Sequence, residues 1–171
     1  RGNKEAMMSY ILAWTLKRAS SLYAQEDSIL YGYCREILFK LLEKQDDGQI
    51  VGSVETWLEW NKIDVHANVE LKHDGVSEWH AILIENKVYT STHDNQLERY
   101  RSIFYNAYKD GEFEKNLHYI LIICHESPSD KLRQDCKKNE FRCIPILDLF
   151  SNDRGIDTKS DIFNEFWLRE W

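Results

Sequence analysis

Proline is almost missing from this chain, with 2 in 171 residues, and glycine is sparse at 7. No Pro/Gly/Ser-rich stretch, low-complexity segment or internal repeat marks a linker, so the chain reads as one domain spanning residues 1–171. The 4 cysteines, Cys34, Cys124, Cys136 and Cys143, include no CxxC pair. That spacing argues against a zinc knuckle and against a dense disulfide framework, and His125 beside Cys124 completes no recognised zinc pattern. No apolar run has membrane-spanning length and no stretch looks like a leader, so the expectation is a cytoplasmic protein with no membrane partner. Positive charge is in deficit. The 22 Lys+Arg against 29 Asp+Glu give a net charge of −7, which argues against coating nucleic acid by bulk electrostatics but leaves room for a local basic strip or a metal-bridged phosphate.

What the chain does have is apolar surface to bury: 43% of its residues are hydrophobic and 13% aromatic, enough for one substantial core. Residues 1–45 read as helical. Met8, Ile11, Leu12, Thr15, Leu16, Ala19 and Leu22 recur at helical spacing over Lys4 to Ala24, and Ile29, Tyr33, Ile37, Leu41 and Leu42 do so over Ser28 to Gln45, with Ser28 as the cap. After Asp46-Asp47-Gly48 the period becomes two, which predicts strands over Ile50 to Trp60, from Ile63 to about Lys72, and over Trp79 to Val88. The middle strand has one apolar and one polar face, and His73-Asp74-Gly75 signals the turn that follows it. Ser91 to Tyr108 reads as a crossover helix, Leu117 to Cys124 as a central strand and the segment from Pro128 to Lys138 as a charged helix. Phe141 to Phe150 reads as another strand and Ser160 to Trp171 as a terminal amphipathic helix. The core sheet and crossover helix thus lie within 50–150 and the terminal helix within 160–171. Helices, a meander, a crossover helix and further strands imply an α/β sandwich with a mixed sheet.

Glu85 and Lys87 interrupt the third strand. On a strand they share one face while Ile82, Ile84 and Val88 take the other. Hairpin geometry gives them a partner. If Asp74-Gly75 centres the turn, Asp64 lies opposite Glu85, and if the loop is longer, Asp64 lies opposite Lys87; in both registers the three side chains share a face. Two carboxylates so placed repel unless a cation sits between them, and oxygen ligands suit Mg²⁺ or Mn²⁺. A lysine beside them can hold a water and offset charge on a transferring phosphoryl group. The simpler alternative is a salt bridge on a solvent-facing strand.

Ile63-Asp64, then Ile84-Glu85-Asn86-Lys87 across a hairpin, then Gln96-Leu97-Glu98-Arg99-Tyr100 on a helix resemble the PD-(D/E)XK nuclease superfamily, most closely a bacterial branch with an IENK strand and a QLxRY helix. The N-terminal NKEAMMSYILAW is similar to that branch's opening helix, while Lys62-Ile63-Asp64 lacks the proline that the motif's name places before its aspartate. The resemblance implies a restriction-endonuclease-like three-layer α/β/α sandwich with a mixed central sheet. It also implies a Mg²⁺- or Mn²⁺-dependent hydrolase of phosphodiester bonds, acting on DNA in preference to RNA. In that scheme Asp64 and Glu85 are metal ligands and catalytic carboxylates, the Asn86 backbone carbonyl is a further ligand, and Lys87 is the catalytic lysine. Gln96 and Tyr100 border the site on the helix, and Glu5 joins the metal shell from the opening helix. The rival is a non-catalytic nucleic-acid- or protein-binding module on the same fold; a homodimer or a partner domain would supply extra grip. Lesser candidates are Glu55 and His93 near the site, Trp57 and Trp60 as base-stacking rings, and Arg99, Arg101 and the basic residues of Lys131 to Lys138 as backbone contacts.

Overall fold

The computed structural model describes residues 3–88, 92–93, 95–124, 127–150 and 155–171, residue 3 by its backbone only. His125, considered above for zinc, lies outside them. Helix α1 runs Asn3–Arg18 and buries Met8, Leu12, Thr15, Leu16 and, just past its end, Ala19. Leu22, expected to continue that stripe, is 82% exposed. The helix stops because Ser20 Oγ donates to Gly52 O at 2.6 Å and Ser21 Oγ to Val51 O at 2.9 Å, which ties a 3₁₀ turn, Ser21–Tyr23, to the first strand. Helix α2 spans Ser28–Leu42, and its cap is Asp27 rather than Ser28: Asp27 Oδ1 accepts from Leu30 N at 3.1 Å. It ends before Gln45 because Glu43 takes a left-handed conformation, φ 51°. Ile29 is turned outward, and Leu30, Cys34, Ile37, Leu38 and Leu41 carry the packing.

Strands β1 (Ile50–Trp60), β2 (Ile63–His73) and β3 (Val76–Lys87) form an antiparallel meander. Asp74 and Gly75 both have positive φ, 51° and 78°, so the second hairpin is the tight two-residue kind whose twist matches its strands. Pairing therefore continues to His73↔Val76, and β3 begins before Trp79. The ladder includes Val65↔Ile84, which selects the shorter of the two registers considered above; one further step sets Asp64 across from Glu85. Strands β4 (Leu117–Ile123) and β5 (Arg142–Pro145) then add in parallel, giving the order β1-β2-β3-β4-β5. The last strand is shorter than Phe141 to Phe150, since Pro145 has no N–H with which to extend the ladder and caps a 3₁₀ turn, Ile146–Leu149.

Helix α3 covers Gln96–Tyr108, starting later than Ser91 because Asn95 sits in the left-handed region at φ 58°. Helix α4 covers Asp130–Lys138, with Ser129 Oγ accepting from Leu132 N at 3.2 Å. The C-terminal helix is capped by Ser160, begins α-helically at Asp161–Phe163 and continues in π-helical winding over Asn164–Arg169. It is locked to α1 where the buried Trp167 indole donates to Thr15 Oγ1 at 3.0 Å.

Two apolar cores sit on opposite faces of the sheet. One joins α1, α2 and the C-terminal helix to Val65, Ala67, Val69, Ile82, Ile84, Ile120 and Ile122. The other joins α3 and α4 to Ala81, Leu83, Leu121 and Ile123. The fold is a three-layer α/β/α sandwich around a mixed sheet. Both faces of β3 are covered, and the face of β2 that reads as polar is covered as well, with His66 buried against α3.

Candidate active site

Strand β2 and helices α1 and α3 converge on the carboxyl end of β3. Its last residues, Glu85, Asn86 and Lys87, are 1%, 1% and 3% exposed, so the reading as a solvent-facing ion pair does not hold. Lys87 Nζ and Glu85 Oε1 are 3.2 Å apart. One side chain from the first turn of α3 holds both. Gln96 Nε2 donates to Glu85 Oε1 at 3.0 Å, and Gln96 Oε1 accepts from Lys87 Nζ at 3.3 Å. An amide serves here because it is the one uncharged group offering a donor and an acceptor side by side. Gln96 Nε2 also lies 3.1 Å from Tyr100 Oη, which donates to the backbone carbonyl of Lys62 at 2.9 Å and thereby fixes the β1–β2 turn, where Glu59, Asn61 and Lys62 all have positive φ.

Asp64, from the start of β2, shares this pocket. Its Oδ2 accepts from the Asn86 backbone N–H at 2.8 Å. Burial raises the Asp64 pKa, an effect that the Asn86 hydrogen bond and the Lys87 charge only partly oppose. Burial first, and then the neighbouring Asp64 charge, push Glu85 up to about 8. Glu85 Oε2 is buried with no hydrogen-bond donor. These are two acids held together without enough positive charge to ionise both, a donor set suited to a hard cation.

The remaining contribution comes from α1. Glu5 Oε1 accepts from Val88 N at 3.1 Å, which brings the opening helix to the end of the strand. Ser9, one turn on, accepts from Asn86 Nδ2 at 2.9 Å and donates to Glu5 O at 3.1 Å. Sequence reasoning passed over Ser9; its spacing of four from Glu5 was the available signal. Among the described residues no three His, Cys, Asp or Glu side chains form a ready-made metal cage. Two carboxylates are what a magnesium site needs when substrate phosphate supplies the rest.

Of the lesser candidates, Glu55 is exposed on β1 and His93 is exposed ahead of α3 rather than on it. Arg101 is engaged with Asn139 O at 2.7 Å and Glu140 at 3.0 Å, which makes it a brace between α3 and the end of α4. Arg99 is exposed, with its guanidinium over the Tyr100 ring. Trp57 and Trp60 gather about His66, two residues along β2 from Asp64.

A family model described as the PD-(D/E)XK nuclease superfamily matches residues 1–158. The chain belongs to that superfamily. No curated protein and no solved structure gives a match. The match takes in α1 through β5 together with every residue of the cluster just described, and ends before the C-terminal helix. Membership of the PD-(D/E)XK superfamily accords with the mixed five-stranded sheet, and it points to a nuclease, a class that typically uses divalent metals on nucleic acid. Among the described residues no helix is long and apolar enough to cross a membrane.

Proposed function

We propose that this chain is a cytoplasmic, Mg²⁺- or Mn²⁺-dependent nuclease that hydrolyses phosphodiester bonds, with DNA as its substrate in preference to RNA. The observation that carries this reading is the buried Glu85–Lys87 pair clamped by the single amide of Gln96, with Asp64 beside it. A structural ion pair needs neither a second acidic group nor burial of all its members, and such burial is costly.

In the proposed mechanism Asp64 and Glu85 would hold the metal, with the Asn86 carbonyl and Glu5 at its margin; the ion, when bound, supplies charge stabilisation to the phosphoryl oxygens. The fit rests on the unpartnered Glu85 Oε2 and on the burial that raises both carboxyl pKa values, to which the Asp64 charge adds at Glu85. An ammonium has three N–H donors, and Lys87 directs one to Glu85 and one to Gln96. The remaining donor orients a water for in-line attack or steadies a phosphoryl oxygen. Gln96 keeps Lys87 from swinging away, and Tyr100 keeps Gln96 in place through the Lys62 carbonyl. With a net charge of −7, substrate affinity depends on the metal more than on the protein's overall field.

The test is cleavage of plasmid and single-stranded DNA in Mg²⁺ or Mn²⁺, with an EDTA control and the Lys87→Ala variant. Metal-dependent cutting that the variant lacks supports the assignment. A folded wild type that binds DNA yet cuts nothing with either metal would make the site a binding module instead.

A further inference from the structure

The sheet face that carries Asp64 continues into an aromatic cluster. Two residues on, about 7 Å along β2, stands His66, only 4% exposed. Trp57 lies opposite it in the ladder, with its ring 4.6 Å from the imidazole, and Trp60 is 4.8 Å away. Strand alternation would set Trp57 and Trp60 on opposite faces. They meet because Glu59, between them, takes a left-handed φ of 55°, an unfavourable backbone for a residue with a side chain. Phe104 and Tyr108 from α3 close the far side edge-on.

His66 is an odd choice for such packing. Its Nε2 faces Tyr108 Oη and Asn68 Oδ1, and Tyr108 donates to that same Oδ1 at 2.7 Å. Nε2 therefore carries the proton, and Nδ1 is a buried acceptor with no donor. A phenyl ring would fill the space without that unmet group. Trp57 is 37% exposed on an edge strand, so one face of its indole is open while the other rests on His66. The exposed carboxylates nearby, Glu55 and Glu59, disfavour a phosphate there and leave an uncharged aromatic face as the recognisable feature.

We infer that Trp57, backed by His66 and Trp60, is a stacking platform for an unpaired nucleobase of the strand whose phosphate lies at Asp64 and Glu85, so that the substrate is single-stranded or locally opened nucleic acid. The separation of the two sites along β2 is of the order of one nucleotide step, and base stacking on an exposed indole is indifferent to sequence. A continuous duplex, with its bases already stacked on one another, cannot use the platform. This inference rests on the nuclease reading for the position of the phosphate.

The experiment measures binding without cutting, with Ca²⁺ in place of Mg²⁺, using oligothymidylate of about a dozen nucleotides against a blunt duplex of equal length. The single strand is expected to quench indole fluorescence and to bind at least about tenfold more tightly than the duplex. Trp57→Ala should weaken single-strand binding by about 5- to 100-fold and Trp57→Phe by no more than about threefold, with duplex binding unchanged. Trp57→Phe should melt close to wild type, and Trp57→Ala, which uncovers His66, should melt lower while remaining folded at the assay temperature, as circular dichroism would show. Single-strand affinity of Trp57→Ala within about twofold of wild type, or a duplex bound as tightly as the single strand, overturns the platform. If wild type cuts DNA while Trp57→Ala binds and cuts single strands normally, the platform alone fails. If single strands bind through Trp57 and no metal supports cutting, the nuclease reading alone fails.

Discussion

Glu85→Gln should make the metal-free protein more stable, and by an amount that grows with pH. Glu85 is 1% exposed, and burial together with the Asp64 charge lifts its pKa to about 8 from an ordinary 4.5. Between those values the folded chain holds a proton that the unfolded chain has released. Wild-type stability must therefore fall as pH rises through that window, because the native state binds more protons. At about 1.4 kcal/mol per pKa unit the full span amounts to at most about 5 kcal/mol, a large share of a typical domain's 5–15 kcal/mol. Glutamine is isosteric, does not titrate, and can still accept from Gln96 and Lys87 through its carbonyl. Urea unfolding in EDTA, at intervals from about pH 5 to 8.5, should show variant and wild type alike at the acid end and separated by several kcal/mol at the alkaline end. Added Mn²⁺ should close the gap from the wild-type side, since only the wild type has both carboxylates to bind it. A gap that stays constant across the range would refute the argument that Glu85 is strained by burial and by Asp64.

Gln96→Leu should lower the cleavage rate by about 10- to 100-fold with the fold intact, by releasing Lys87 and Glu85 together; single-turnover kinetics would read it. Thr15→Val preserves shape but leaves the buried Trp167 indole N–H without its acceptor, which should cost about 1–3 kcal/mol in a urea titration. At the other end of β3, burial lowers the pKa of His80 and takes His118 down to about 3, while His80 Nδ1 and His118 Nε2 stand 2.9 Å apart. Histidines kept neutral in the fold lose their stabilising effect as pH falls below about 6.5. The melting temperature of His118→Gln should accordingly rise relative to wild type as pH falls from 7 to 5, a difference that the opposing Glu85 contribution, common to both chains, leaves in place.

The meander and the grouping of Asp64, Glu85 and Lys87 were legible because period-two burial and a tight turn fix side-chain facing, whereas Gln96 and Tyr100 were expected beside them only from the resemblance to the superfamily's helix motif. Their catalytic roles rest on the superfamily resemblance and await the cleavage test. Element ends were less legible, because tertiary contacts set them: Ser20 and Ser21 anchored to β1 end the first helix, and the left-handed Asn95 delays α3. Ser9 and the turn carbonyl of Lys62 escaped notice for a related reason. One is a common helix residue and the other contributes only backbone, so neither has a chemical signature until the fold brings it to Asn86 or Tyr100. The burial of His66 could not be read either, since an alternating strand looks the same whether or not a helix covers its polar face.

The bonds that join α1 to β3 and to the C-terminal helix span long stretches of chain, 83 residues from Glu5 to Val88 and 152 from Thr15 to Trp167. During synthesis the strands bearing Asp64, Glu85 and Lys87 emerge well before the segment that clamps α1 against them. A ribosome-bound chain therefore carries the acidic pair before the brace that holds it. Until Trp167 is in place, α1 lacks the indole that secures it, and the Glu5 and Ser9 contacts at the end of β3 lack that support.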